Sequence, residues 1–116
     1  MKNRAFRERL NFAWSGIRSA WRSEASLRTH VWLIVPLLVV LLILRPALLW
    51  WALCGVMVSL VIAAELINTA LEHLADHLHP EQHPRIKTVK DCAAAAVLIL
   101  SAGALWVALL MILATL

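Results

Sequence analysis

The chain has 116 residues, of which 62% are hydrophobic, with a mean hydropathy of +0.79 and a net charge of +4. That length holds one domain, and its apolar content exceeds the roughly 45–50% of soluble domains, so lipid must be the solvent for much of it. A pI near 9.8 suits nucleic acid or anionic phospholipid. The basic residues flank apolar runs rather than covering a soluble face, which excludes a nucleic-acid partner.

Residues 4–23 predict an amphipathic helix. Phe6, Leu10, Ala13, Trp14, Ile17, Ala20 and Trp21 recur at three- and four-residue steps, with Arg4, Arg7, Arg18 and Arg22 around the rest of the circumference. Tryptophans on one side and arginines on the other fit a helix lying in the headgroup region, or else a soluble helix packed on a partner. Scattered charges over residues 1–30 predict no cleavable signal peptide.

Val31–Leu44 is an apolar run interrupted only by Pro36. It is short against the about 20 residues a span needs. Leu27 and the stem of Arg28 extend it, with the charged head reaching back to the interface. Arg45-Pro46 breaks the helix. Ala47–Ala64 forms a second apolar stretch with Trp50 and Trp51 near its start, and continues as helix into the polar segment Glu65–Leu78. His79-Pro80 and His83-Pro84 mark a loop, and Cys92–Leu116 is a third apolar run.

The expected fold is therefore an all-α integral membrane protein of one domain, 1–116. It has a surface helix at about 4–24 and spans at about 27–44, 47–72 and 90–116. Basic residues precede the first span and lie between the second and third, while Arg45 stands alone in the other loop. The positive-inside rule then puts the N-terminus and the 79–90 loop in the cytoplasm and the C-terminus outside. Cys54 and Cys92, in no metal-ligand spacing, are expected to be small core residues.

Chemistry concentrates at Glu65-Leu-Ile-Asn68-Thr-Ala-Leu-Glu72-His-Leu-Ala-Asp76. At 100° per residue, positions 65, 68, 72 and 76 share a helix face. An ionisable group at the depth of Glu65 is costly and marks a functional site by default. Neighbouring carboxylates need a cation, a shared proton or basic partners to coexist, and Mg²⁺ suits one or two carboxylates plus phosphate oxygens. A helix end simply leaving the membrane would explain Asp76 and Glu72, but Glu65 and Asn68 less well. Lys90-Asp91 opens the third span, where the lysine can neutralise phosphate or the pair can serve as a cap. Ala93–Ala96 permits close helix approach. Histidines 73, 77, 79 and 83 read as interfacial or nucleotide-contacting groups rather than a zinc site. Glycines occur only at 16, 55 and 103, so there is no Gly-rich phosphate cradle.

The run from Glu65 to Glu72, then Asp76, then Lys90-Asp91 with Ala93–Val97, resembles the prokaryotic diacylglycerol kinase family, which includes undecaprenol kinases. The stretch Trp14–Arg28 resembles that family's surface helix, and the likeness covers nearly the whole chain. It implies an ATP-dependent lipid kinase of the inner membrane, using Mg²⁺, assembled as a homotrimer with active sites shared between neighbours. By position, Glu65 matches the catalytic base, Glu24 and Glu72 the carboxylates holding Mg²⁺ of MgATP, and Asn68 the polar residue beside the base. Lys90 and Asp91 match residues at the ATP phosphates, and Glu81-Gln82-His83 the nucleotide loop. Trp14, Arg18, Trp21 and Arg28 align with the lipid path.

Phe12 stands where some members carry a tyrosine near the nucleotide, so a hydrogen bond from that position is lost. Arg4 and Arg7 are both candidates for an assisting N-terminal arginine. The His-Pro-Glu-Gln-His-Pro loop and His30 look more like undecaprenol kinase members, although diacylglycerol is the expected substrate. The implied reaction is in-line transfer of the γ-phosphoryl group to a lipid hydroxyl, with Glu65 accepting its proton. A non-enzymatic membrane protein with an interfacial ion site is the rival. It predicts polar residues through several spans, whereas the first and third have almost none beyond Ser101.

Overall fold

A computed structural model describes residues 5–81 and 83–116. Four helices follow one another in these residues: α1 (Phe6–Ser23), α2 (Ala25–Leu44), α3 (Leu48–Leu78) and α4 (Pro84–Thr115). The last three are each long and apolar enough to cross a membrane. Their outward faces carry large apolar side chains, among them Trp32, Ile43, Leu48, Leu98, Leu105 and Trp106. In water that surface would be an aggregation liability, whereas in lipid it is the ordinary exterior.

Each junction has a local cause. Glu24 is extended (φ −119°, ψ 108°) and separates α1 from α2, its N–H closing on the Ala20 carbonyl at 2.9 Å. The Arg28 guanidinium donates to the carbonyls of Trp21 and Arg22, satisfying acceptors that the last turn of α1 leaves open. Arg28 thus ties the surface helix to the first span as well as reaching the interface. Arg45 ends α2 in the left-handed region (φ 47°, ψ 59°), with its N–H on Leu41 O, and Pro46 cannot continue the helix. The second turn is made by His83, whose Nδ1 accepts from the Arg85 N–H at 3.1 Å, with Pro84 in the first helical position. Helix α4 therefore starts well before the apolar run that marks it in the sequence, and the connecting loop shrinks to a few residues around 79–83.

At 1.5 Å per residue, the 31 residues of α3 and 32 of α4 reach about 47 Å, close to the molecule's longest dimension of 51 Å. Both exceed the about 30 Å hydrocarbon layer by roughly ten residues, and the polar parts of both helices lie in that overhang. Helices α3 and α4 form the principal pair, with α2 packed against them. On α3 the inward positions are Cys54, Val61, Glu65, Asn68 and Ala75, a spacing of sevens, fours and threes. On α4 they are Ala93, Val97 and Met111. Of the four alanines 93–96, only Ala93 meets the other helices of its own chain. Cys54 sits in the core against Leu41 and Met111, as expected, but Cys92 is exposed. It falls on the outer face of α4, one position short of Ala93, which corrects its reading as a core residue.

Candidate active site at the polar end of the bundle

The inward stripe of α3 does not stop being inward when it becomes polar. Glu65 is 1% exposed and Asn68 9%, so the carboxylate and amide continue the inward face that Val61 holds one turn deeper. A buried carboxylate must be hydrogen-bonded to persist there. Glu65 Oε1 accepts from the Ser26 hydroxyl at 2.6 Å and lies 2.6 Å from His30 Nδ1. The far nitrogen of that ring, Nε2, is 3.2 Å from the Ser101 hydroxyl on α4. Thr69 bonds back to the Glu65 carbonyl at 2.9 Å, which keeps its own hydroxyl satisfied within α3. Three helices thus contribute to holding one carboxylate.

One to two turns further along, Asn68 Nδ2 donates to Glu72 Oε1 at 3.2 Å. Glu72 in turn neighbours Glu24 from the α1–α2 junction. Burial, then the charge and hydrogen bond of Glu72, and more weakly Glu65, push the Glu24 carboxyl above its ordinary range, while His73 acts the other way. Two carboxyls in contact must share a proton or a cation. Asn68 Oδ1 is buried and accepts no hydrogen bond from any described residue.

The remaining expected residues divide into two groups. Lys90 Nζ bonds to Asp76 Oδ1 across the α3–α4 pair, so Asp76 is ion-paired rather than merely solvated. Asp91 instead pairs with Lys87 at 2.6 Å along α4. Glu81 and His83 are exposed at the loop, with His83 engaged as the cap of α4, and Gln82 and Arg4 lie outside the described residues. Phe12 and Trp14 are 45% and 59% exposed on α1. Arg18 lines a shallow surface groove with Ser15 and Arg22. The structure therefore gathers Glu24, Glu65, Asn68 and Glu72 into one cluster.

Two side chains that hold Glu65 were not among the expected site residues. Ser26 and His30 stand four residues apart, on one face at the start of an otherwise apolar span. That spacing was the available signal, as was Ser101, a hydroxyl isolated within α4. Below them, a cavity of about 380 Å³ opens between α2, α3 and α4. His30 and Ser101 form its polar end, and its walls include Ile34, Leu37, Val58 and Ala104.

Three membrane-spanning helices, an amphipathic helix before them and a carboxylate cluster at one end of the bundle define an integral membrane protein with an interfacial ionisable site. Residues 11–112 match the family model described as prokaryotic diacylglycerol kinase. The chain belongs to that family. It is 32% identical over 88 residues to a diacylglycerol kinase of Escherichia coli, covering 76% of this chain and 72% of the relative. Over 95 residues it is 30% identical to an undecaprenol kinase of Bacillus subtilis, covering 82% and 76%. A diacylglycerol kinase of Synechocystis is 32% identical over 94 residues and 80% of this chain. The alignment spans only about half of that relative's length, 54%.

Proposed function

We propose that this protein is a lipid kinase that transfers the γ-phosphoryl group of ATP to the hydroxyl of diacylglycerol, giving phosphatidic acid. Membership of the family makes it a lipid phosphotransferase, and the names of most of its relatives favour diacylglycerol. The observation that carries the chemistry is the buried Glu65, held through one oxygen at the level where α3 leaves the apolar part of the bundle. No described residue donates to its other oxygen, Oε2, which is thus left for a substrate hydroxyl. As the lipid oxygen bonds to phosphorus and the bond to ADP breaks, Glu65 takes the hydroxyl proton.

Glu24 and Glu72 are the residues that would hold Mg²⁺. Two neighbouring carboxyls, with Glu24 pushed above its ordinary range and Asn68 steadying Glu72, fit a cation that takes one or two carboxylates and completes its shell with phosphate oxygens. When bound, the ion supplies charge neutralisation on the nucleotide's phosphates. Asn68 Oδ1, buried and lacking a donor, suits a hydrogen bond from the bound lipid. In this reading Lys90 and Asp91 serve the ATP phosphates, and Glu81 and His83, with Gln82 by sequence position, contact the nucleotide. In this reading Phe12 stands near the nucleotide, while Trp14, Arg18, Trp21 and Arg28 serve the lipid path along α1 and its junction.

Orientation follows the charges. Arg7, Arg9, Arg18, Arg22 and Arg28 precede the apolar part of α2 and Arg85, Lys87 and Lys90 that of α4, against Arg45 alone at the opposite turn. The site then faces the cytoplasm in the inner membrane, where ATP is available. The extensive apolar exteriors of α2–α4 suit packing of three copies into a homotrimer as well as contact with lipid.

The test is a phosphorylation assay with purified protein, MgATP and either diacylglycerol or undecaprenol in mixed micelles. Formation of phosphatidic acid is the expected result. Preference for undecaprenol would shift the substrate towards that of the Bacillus relative, and phosphorylation of neither would overturn the reading.

A further inference from the structure

We infer that His30 is a positioning residue for phosphoryl transfer, holding the Glu65 carboxylate so that Oε2 alone faces the lipid hydroxyl. The inference rests on the reading of Glu65 as the base. Glutamate has three side-chain torsions, and a base must be held within hydrogen-bonding reach of the proton it takes. Within α3 the neighbouring Thr69 is turned to the Glu65 backbone and offers the carboxylate nothing. Its restraint comes from α2, through Ser26 and His30, both on Oε1.

Of these two, the imidazole is the rigid one. A serine hydroxyl rotates freely and can leave for another acceptor, whereas the ring is pinned at both nitrogens. In the neutral ring, donation from Nδ1 to the carboxylate leaves Nε2 as the acceptor for the Ser101 hydroxyl. One neutral tautomer serves both contacts, so a single line of hydrogen bonds crosses from α4 through α2 to α3. The usual relation of a carboxylate orienting a catalytic imidazole is reversed here. The ring also supplies polar contact to a carboxylate that is 1% exposed, a group whose burial without donors would be costly.

The two ring nitrogens allow the role to be separated from packing. Asparagine places an amide N–H where Nδ1 stands, and glutamine places one where Nε2 stands. His30→Asn thus keeps the donor to Glu65, while His30→Gln keeps the contact to Ser101 and more of the volume. In His30→Ala, kcat should fall roughly 10- to 100-fold, as on loss of residues that orient a reacting group, with KM for MgATP unchanged. His30→Asn should recover most of that loss and His30→Gln little of it. Recovery in the opposite order, following side-chain volume, would overturn the inference, as would a kcat of His30→Ala within two-fold of the wild type.

A readout without turnover is the imidazole Nδ1 proton in the NMR spectrum of ¹⁵N-histidine-labelled protein. It should be present in the wild type and lost in Glu65→Leu, which removes its acceptor. Its absence from the wild type would overturn the inference. Should the wild type phosphorylate neither lipid, the lipid-kinase reading fails on its own, and the Nδ1 proton still decides whether His30 holds Glu65.

Discussion

The carboxyl of Glu24, at the junction of α1 and α2, meets the carboxyl of Glu72 on α3, two turns beyond the buried Glu65. A surface helix and a membrane span are thus joined at a point where two acids face one another. Glu24 is held above its ordinary value of 4.5 by burial first and by Glu72 second. A carboxyl so shifted binds its proton more tightly in the folded chain than in the unfolded one. Its contribution to stability is full below the unfolded value and is lost as pH rises through the folded one. In metal-free protein, Glu24→Gln should therefore unfold at a higher temperature than the wild type at about pH 7.5, with the gap closing near about pH 4. Mg²⁺ should raise the wild-type midpoint more than that of the variant. Thermal unfolding in detergent, followed by circular dichroism with and without Mg²⁺, measures both effects.

Replacing Glu65 tests the proposed base. Glu65→Gln retains the shape and can still accept from Ser26 and His30 through its amide oxygen, but it cannot take a proton. Turnover should fall by about 10²- to 10⁴-fold, the usual worth of a positioned general base. Helicity and oligomeric size should be unchanged, as read by circular dichroism and size-exclusion chromatography. Near-normal turnover would remove Glu65 from the role.

The three spans, the surface helix and the stripe from Glu65 to Asp76 were legible in the sequence because each is a local pattern: apolar runs of membrane length, a 3.6-residue period, and acids where the run should have stayed apolar. The start of α4 was not legible. Residues 84–91 carry four charges and no long apolar run, and the His83 cap with Pro84 at the first position marks them as helix. The partners of Glu65 escaped for a different reason. Ser26 and His30 reach it across 39 and 35 residues of chain, and no periodicity reports which faces of two helices meet. The same applies to Lys90, whose position opposite Asp76 depends on how α3 and α4 are aligned along their axes.

That Lys90–Asp76 pair is exposed, and exposed pairs contribute little. Asp76→Asn should change the unfolding midpoint hardly at all, within about 1 kcal/mol. If Lys90 instead serves the nucleotide, Lys90→Met should raise KM for MgATP far more than Asp76→Asn does. Steady-state titration of MgATP on both variants makes the comparison. Equal KM values for Lys90→Met and the wild type would leave the lysine with a surface ion pair and no part in binding.

Asn68 links the two halves of the site. Its amide nitrogen holds Glu72, and its oxygen is buried without a donor one turn from Glu65. A buried acceptor left unmatched costs about 1–3 kcal/mol, a penalty that a bound lipid hydroxyl could relieve. Asn68→Leu removes both that penalty and the support of Glu72. The metal-free protein should then be as stable as the wild type or more so, while KM for MgATP rises and kcat falls. Asn68→Asp keeps the oxygen but adds a third acid beside Glu72, so it should be less stable without Mg²⁺ and regain part of the loss when Mg²⁺ is added. Unfolding midpoints and kinetics on the two variants separate these effects. A leucine variant that is both destabilised and fully active would show that Asn68 serves packing alone.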